Sequence, residues 1–253
     1  MYRGKKVTCP QEDRIEPFRI VGGVYFVGTY RASSHLIDTG DGLILIDSGY
    51  SETLYLVIDS IHRAGFDPND IKYIVNTHWH WDHTEGTAAI AAMSGAKTVI
   101  GREDAEAARA YFEPDILVSD GDTLALGNTV IRFMHTPGHT RGTVSLFFDA
   151  VEDGRSLRVG MFGGAGRNSL VPGKLYYDGC REDYFASLAR LRGESVDVML
   201  GNHVWNNDTE RKGDHLRETG ENLFIDPAMF GRFLDYCESC LRSILLREQN
   251  GEG

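Results

Sequence analysis

The pattern of hydrophobic and polar positions predicts strands first and a helix after them. Alternating and β-branched residues indicate strands at residues 23–27, 34–38 and 43–47. Between the last two, Gly40-Asp41-Gly42 supplies a hairpin turn. Apolar residues then recur at helical spacing, which predicts an amphipathic helix over about residues 51–64.

The rest of the chain continues with alternating strand and helix signals. The stretch 71–76 is continuously apolar, as expected of a strand buried on both faces. Further helices are predicted at 84–93, 103–111 and 183–191, and further strands at 97–100, 123–126, 129–135, 143–148, 157–162 and 196–200. A last helix is expected to start with Asp226 as N-cap and Pro227 at its first position. The segment 207–222 is polar and unpatterned, which predicts a surface loop or lid.

Composition and charge favour a single globular domain. The chain has 253 residues, 42% of them hydrophobic, which is enough to bury a sizeable core. No linker divides it, and two strand-rich halves with helices suggest one α/β domain with packed sheets. We place this domain at residues 19–253, behind an N-terminal segment 1–18. The net charge of −11 argues against nucleic acid or an anionic membrane as the main partner.

The start of the chain and its cysteines favour a cytoplasmic protein. Residues 1–18 are polar and lack the apolar core of a signal peptide. No apolar run approaches the roughly 18–20 residues that a transmembrane helix needs. The four cysteines do not form a dense disulfide framework, so free thiols are expected. A secreted protein whose signal has been removed would look the same, and the sequence does not indicate an oligomeric state.

The stretch Thr-His-Trp-His-Trp-Asp-His at residues 77–83 directly follows the predicted buried strand. A loop at a strand end can point His78 and His80 to one side, and Asp82 and His83 to the other. Imidazole and carboxylate ligands suit zinc, and four of them are too many for one open catalytic ion. The spacing therefore favours two neighbouring metal ions.

Two more histidines lie at predicted strand ends. His139 lies in the sequence 136–142, Thr-Pro-Gly-His-Thr-Arg-Gly, where Pro and Gly force a tight turn. His203 follows the predicted strand 196–200. Together with the first cluster they complete two three-ligand sets, as an open catalytic site requires. The remaining histidines are interpreted as non-ligands: His35, His62, His135 and His215.

These motifs resemble those of the metallo-β-lactamase superfamily of dinuclear zinc hydrolases. The resemblance rests on the His-x-His-x-Asp-His cluster, the Pro-Gly-His-Thr turn, the late Gly-x-His, and Leu-Ile-Asp-Ser-Gly at residues 45–49. It covers about residues 19–206. The fold that it implies is a four-layer αββα sandwich in a single domain, with the site at one edge between the sheets.

The resemblance also implies ligand roles and two zinc ions per chain. The first zinc would be held by His78, His80 and His139. The second would be held by Asp82, His83 and His203. Behind these ligands, Asp47 would orient one of them rather than contact metal.

One departure from the family pattern points to a subclass. Many members carry a metal-bridging Asp after the strand that is here predicted at 157–162, whereas this chain has Gly163-Gly164-Ala165-Gly166. The loss of that bridge, with His83 retained, resembles the subclass B3 β-lactamases. The stretch 183–203 is also similar to that subclass, but Val-Trp-Asn after His203 replaces the small residues usual there.

The implied activity is hydrolysis at a carbonyl carbon. A single zinc already lowers the pKa of bound water to about 7, so a metal-bound hydroxide is available at neutral pH. As a catalytic residue, Asp82 would orient this nucleophile and could take its proton. Cyclic amides of the β-lactam kind are the lead substrate class, and lactones, thioesters and phosphodiesters are the alternatives. A mononuclear iron oxidoreductase of the persulfide-dioxygenase kind also resembles this superfamily, but it relies on the missing Asp.

Two loops carry candidate substrate-binding residues. Tyr30 and Arg31 lie in a strand-to-strand turn that either overhangs the site or is simply exposed. Arg167, Asn168 and Ser169 follow the glycine run, where B3-like enzymes place polar groups that contact the substrate carboxylate. Arg167 could pair with such a carboxylate bidentately or belong to a solvated loop. We therefore expect a small, anionic substrate.

Overall fold

The computed structural model describes residues 8–251, and its strands form two sheets. The first sheet has seven strands in sequential order: β1 Phe18–Val21, β2 Val24–Phe26, β3 His35–Asp38, β4 Leu43–Ile46, β5 Ile71–Val75, β6 Lys97–Gly101 and β7 Ile116–Val118. Strands β1 to β4 pair antiparallel, whereas β4 to β7 pair parallel. The carboxyl ends of β4 and β5 therefore lie at the same edge.

The second sheet has five strands in the order β12-β11-β10-β9-β8. They are β8 Thr123–Leu126, β9 Thr129–His135, β10 Val144–Glu152, β11 Arg155–Met161 and β12 Val198–Leu200. All pairs are antiparallel except β11 with β12. The helices are α1 Leu54–Arg63, α2 Trp81–Thr84, α3 Thr87–Ser94, α4 Ala105–Ala108, α5 Cys180–Leu191, α6 Thr209–Thr219 and α7 Met229–Gln249.

Side chains of β4 show how the layers are built. Successive residues of a strand point to opposite faces. Ile44 and Ile46 accordingly belong to the cluster between the two sheets. Leu43 and Leu45 instead pack under α1 and α3 on the outer face. On the second sheet, a separate buried cluster joins its outer face to α5 and α7.

These clusters define the four layers α, β, β and α, so the predicted αββα sandwich is confirmed. Fully burying one aliphatic side chain of such a core contributes about 1.5–3 kcal/mol. Within residues 8–251, no helix combines the length and apolar character needed to cross a membrane. The division at residue 18 stays a prediction, although Asp13 and Ile15, which precede it, are buried.

The structure corrects several predicted elements. The segment 207–222 is mainly helix α6, not a loop, and its narrow buried face explains why its sequence looks unpatterned. A Cβ on Gly213 of this helix would lie 2.4 Å from the Phe18 ring, so the helix backbone packs directly on β1. The range 103–111 holds the end of a 3-10 helix, Arg102–Asp104, and the short helix α4 rather than one continuous helix. The last helix begins at Met229 rather than behind an Asp226 cap. Strands β1 and β7 were not predicted.

Candidate metal centre

Four chain segments meet at one edge of the two sheets. Strand β4 ends before Asp47, and β5 ends before the loop that carries His78 and His80. The connection from β9 to β10 carries His139, and His203 follows β12. The site is therefore built from strand ends, as its spacing in the sequence predicts.

Three imidazoles converge in a first group. Nε2 of His78 lies 3.1 Å from Nδ1 of His80 and 3.2 Å from Nε2 of His139. All three side chains are buried. Their donor atoms lie within 4.8 Å of one another, which leaves them a common centre.

Neighbouring groups assign the tautomers of two of these rings. The hydroxyl of Thr77 donates to Asp47 Oδ2 at 2.9 Å, so its oxygen can accept from His78 Nδ1 at 3.1 Å. Likewise, Ser169 Oγ donates to the His139 carbonyl and faces His139 Nδ1 at 3.4 Å. The Nε2 lone pairs therefore point to the common centre. Among the described residues, Nε2 on the far side of His80 has no hydrogen-bond partner.

A second group forms around the carboxylate of Asp82. Its Oδ2 lies 3.4 Å from Nε2 of His83 and 3.6 Å from Nε2 of His203. On the opposite side of the rings, His83 Nδ1 donates to Asp47 Oδ2 at 2.8 Å, and His203 Nδ1 donates to the Arg31 carbonyl at 2.7 Å. In the neutral form of each ring, Nε2 is thus left as an acceptor toward the centre, which is the arrangement that a metal requires.

Burial keeps most of the imidazoles neutral. It lowers the pKa of His80 and of His203 to about 4, and it holds the pKa values of His78 and His139 well below their ordinary range. His83 behaves differently: burial alone would lower its pKa, but the charges of Asp82 and Asp47 raise it to about 9. Neutral imidazole is the ligand form, and the two carboxylates favour a cation at this place.

Asp47 has a strained backbone for a residue other than glycine. Its φ is +55°, in the left-handed region, which costs roughly 1–2 kcal/mol for an L-residue. Its buried carboxylate accepts three hydrogen bonds: from the backbone N–H of Thr77 at 2.8 Å, from the Thr77 hydroxyl and from His83. These contacts place Asp47 behind His83 and next to Thr77, and its orienting role stays a prediction.

A further carboxylate, which the sequence analysis missed, joins the two ligand loops. Asp104 Oδ2 accepts from the Thr140 hydroxyl at 2.6 Å and from Trp79 N–H at 3.2 Å, and Oδ1 accepts from Gly142 N–H at 2.7 Å. Burial raises the pKa of Asp104 to about 6, although these hydrogen bonds oppose the rise. The sequence gives no signal for this role, because Asp104 is next to a short helix and its partners are distant along the chain.

The glycine run brings the loop after β11 close to His139. A Cβ at Gly164 would lie 2.6 Å from Thr143 Cγ2, and a Cβ at Gly166 would lie 2.7 Å from His139 Cε1. Side chains at either position would displace the His139 turn. The segment that lacks the expected bridging Asp is thus closely packed against the His139 turn.

The candidate substrate residues occupy different environments. Tyr30 and Ser169 are buried, and the Arg31 guanidinium contacts Asp13 and Glu52. Arg167 and Asn168 instead line a cavity of about 220 Å³. This cavity also contacts His203 and three aromatic side chains: Trp205, Phe233 and Tyr236.

Comparison with known proteins identifies the family. The family model of the metallo-beta-lactamase superfamily matches residues 27–203, which is more than half of the chain. The chain belongs to the metallo-β-lactamase superfamily. Both the family and the fold that the resemblance implied are confirmed.

Solved structures of metallo-β-lactamases are similar over nearly the whole chain. A subclass B3 enzyme of Bradyrhizobium japonicum is 28% identical with a TM-score of 0.89, covering 96% of this chain and 98% of that one. A class B3 di-zinc enzyme from an Alaskan soil metagenome is 27% identical with a TM-score of 0.83, covering 96% of this chain and all of its own. These neighbours support a hydrolase of the B3 branch.

Curated relatives that match part of the chain include a lactonase. An N-acyl homoserine lactonase of Bacillus thuringiensis is 25% identical over 155 residues, which is 49% of this chain. The match spans about 60% of that relative's own length.

Proposed function

We propose that the protein is a dinuclear zinc hydrolase whose lead substrates are cyclic amides of the β-lactam kind. The observation that supports this proposal most strongly is the pair of three-donor groups at one edge of the sandwich. Hydrogen bonds on the opposite side of the His78, His83 and His203 rings leave Nε2 of each available to a metal. The similarity to a di-zinc B3 enzyme supports two ions.

The donor set fits zinc, since imidazole and carboxylate are its usual ligands. His78, His80 and His139 would hold one ion, and the second would be held by Asp82, His83 and His203. When bound, zinc would supply Lewis acidity that makes hydroxide available at neutral pH and polarises a carbonyl oxygen.

Residues of the chain would orient the attacking water, accept its proton and hold the ligand rings. Asp82 would orient the attacking water and hold its proton on the carboxylate. Its side chain is only 16% exposed, so few competing water molecules reach it. Asp47 and Thr77 hold His83 and His78 in their ligand tautomers, because each supplies the acceptor for a ring N–H.

The cavity beside His203 suggests how a substrate is oriented. Trp205 stacks on the His203 ring with centroids 4.4 Å apart, and Tyr236 lies under the Arg167 guanidinium at 5.3 Å. Within residues 8–251, no carboxylate forms an ion pair with Arg167. A small substrate with a carboxylate could therefore bind Arg167 while its flat, apolar part contacts the aromatic side chains.

Lactones are the second candidate class, because of the likeness to the Bacillus lactonase. Thioesters and phosphodiesters remain alternatives within the superfamily. A mononuclear iron oxidoreductase is disfavoured, since that kind of enzyme relies on the metal-bridging Asp, and this chain has Gly163-Gly164-Ala165-Gly166 there. The cytoplasmic localisation and the exclusion of nucleic acid and membrane as partners stay predictions.

One experiment tests the proposal directly. The purified protein is loaded with zinc, its metal content is measured, and it is screened against β-lactams, lactones, thioesters and phosphodiesters. About two zinc ions per chain and the fastest turnover on β-lactams are expected. One ion or fewer would contradict the dinuclear proposal, and preferred turnover of another class would replace the substrate assignment.

A further inference from the structure

We propose that Asp13, close to the start of the described chain, is a positioning residue for His203. It would act through the main chain of Arg31 and thereby tune the second metal group. This inference rests on the proposed dinuclear site, but it concerns a residue that lies outside both ligand sets.

The contacts form a continuous path. Asp13 Oδ2 accepts from Arg31 Nε at 2.6 Å, and Oδ1 accepts from Arg31 N–H at 3.2 Å. In addition, the Asp13 carbonyl accepts from Tyr30 N–H at 2.8 Å. The carbonyl of Arg31 then accepts from His203 Nδ1 at 2.7 Å. One side chain thus holds both the backbone and the guanidinium of the residue that orients a ligand ring.

The Arg31 side chain is fixed from several sides, which makes its carbonyl a rigid acceptor. Its guanidinium also contacts Glu52 and lies 4.7 Å above the Tyr50 ring. This arrangement explains why Arg31 does not act as a free cation at the rim. Its guanidinium forms ion pairs with Asp13 and Glu52, while its carbonyl accepts from the ligand ring of His203.

Burial gives Asp13 its importance. The residue is 0% exposed, and a buried carboxylate must be paired and hydrogen-bonded to be tolerated. Burial raises the pKa of Asp13, and the hydrogen bonds from Arg31 oppose the rise. Removing the carboxylate charge would therefore loosen the turn at residues 30–31, because its two strongest contacts weaken together.

His203 depends on this turn more than the other ligands depend on theirs. His78 follows the central strand β5 and is held by Thr77, and His83 lies in helix α2 and is held by Asp47. His203 follows the edge strand β12, and its Nδ1 is fixed by the carbonyl of Arg31. A mobile carbonyl at this point should affect the second metal group and spare the first.

The test compares Asp13→Asn with Asp59→Asn, which offers a matched control. Asp59 also accepts from an arginine of the N-terminal segment, Arg14 at 2.5 Å, but that pair is only half-buried, and among the described residues its side chains form no hydrogen bond with Arg31 or His203. Zinc affinity of each equivalent is measured by competition with a chelator. Asp13→Asn should weaken the second equivalent about 10- to 100-fold and leave the first unchanged. Asp59→Asn should change neither.

A second readout does not depend on how many ions bind. Nitrogen-15 NMR of the histidine rings in metal-free protein reports the hydrogen bond of His203 Nδ1. Asp13→Asn should shift this resonance, and Arg31→Lys, which keeps a cation but not the planar fork, should shift it in the same direction. If wild type binds fewer than two ions, the proposed function fails, and the NMR shift still decides the role of Asp13. An unchanged His203 resonance, or equal weakening of both zinc equivalents, would overturn the proposal that Asp13 positions His203.

Discussion

Thr140 Oγ1 donates a hydrogen bond of 2.6 Å to Asp104, a carboxylate that lies 36 residues earlier in the chain. The same carboxylate accepts from Trp79, between the ligands His78 and His80. Two loops that carry the first metal group are thereby joined by one buried side chain. Their relative position then depends on a residue that contacts no ligand directly.

We expect Asp104→Asn to weaken this connection between the two ligand loops. The amide presents an N–H₂ group to at least one of the three donors, so one hydrogen bond is lost and two donors face each other. Zinc affinity of the first equivalent should fall about 10-fold or more, since the ligand loops lose their common acceptor. Isothermal titration of the metal-free enzyme measures this change.

Asp115→Asn is a suitable control for this change. Asp115 lies just before β7 and accepts from the backbone N–H and the hydroxyl of Thr98 on β6, at 2.9 Å each, outside the site. If both variants lower zinc affinity equally, the effect is one of general stability, and the connection through Asp104 has no specific role in zinc binding.

The two ligand sets give the second prediction. His78→Ala should reduce zinc content from two ions per chain to about one, and Asp82→Ala should lose or loosen the other ion. Turnover should fall by orders of magnitude in both, because open catalytic sites need three protein ligands. Elemental analysis after dialysis measures the stoichiometry.

His215→Ala is the control for these ligand variants. His215 pairs with Glu221 at 2.8 Å, outside both groups. A similar loss of zinc from this variant would indicate adventitious binding by surface histidines.

The parts of this site that are local in sequence could be predicted, and the parts that depend on tertiary contacts could not. The cluster at residues 77–83 follows a buried strand, so its side chains are aimed by the strand end itself. Strands Thr123–Leu126 and Thr129–His135 match their predicted bounds because alternation and turns are local signals. Asp104 and Asp13 carried no such signal, since their partners are brought near only by folding. Helix α6 was missed because its narrow buried face leaves little periodicity to detect.

The glycine run gives a third prediction. Gly164→Asp should not restore a metal-bridging carboxylate, because its Cβ would lie 2.6 Å from Thr143 and 2.9 Å from the Cβ of His139. Overpacking of this kind costs about 1–3 kcal/mol, so unfolding in urea should shift accordingly and activity should fall with it.

Gly231→Ala is the matched control, since a Cβ there meets no atom within 4 Å. It lies inside helix α7, where alanine is favoured over glycine by about 0.5–1 kcal/mol. A stable Gly164→Asp variant that hydrolyses phosphodiesters faster than wild type would contradict the packing argument.

Substrate capture by Arg167 gives a fourth prediction. Arg167→Ala should raise KM more than it lowers kcat for an anionic substrate, because a rim guanidinium binds the ground state and the transition state alike. The methyl ester of the same substrate should lose much less. Arg217→Ala is the control, as its guanidinium also lies over an aromatic ring, that of Phe18 at 5.5 Å, on another part of the chain. Equal losses on acid and ester would mean that Arg167 has only a structural role.

The last prediction concerns the pH dependence of stability and a histidine outside the metal site. His35 is buried against Phe26, and burial lowers its pKa to about 3. The folded protein therefore keeps this ring neutral, whereas the unfolded chain takes up a proton below about pH 6.5. Stability from this residue is lost as the pH falls from about 6.5 toward 3, with a slope of up to about 1.4 kcal/mol per pH unit. His35→Gln should remove that part of the slope, which urea unfolding at several pH values between 7 and 4 can measure. Other buried histidines contribute equally to wild type and to His35→Gln, so the difference between their two slopes isolates His35. His62→Gln, on the exposed face of α1, serves as the control. Parallel curves for wild type and His35→Gln would show that His35 does not couple proton uptake to unfolding.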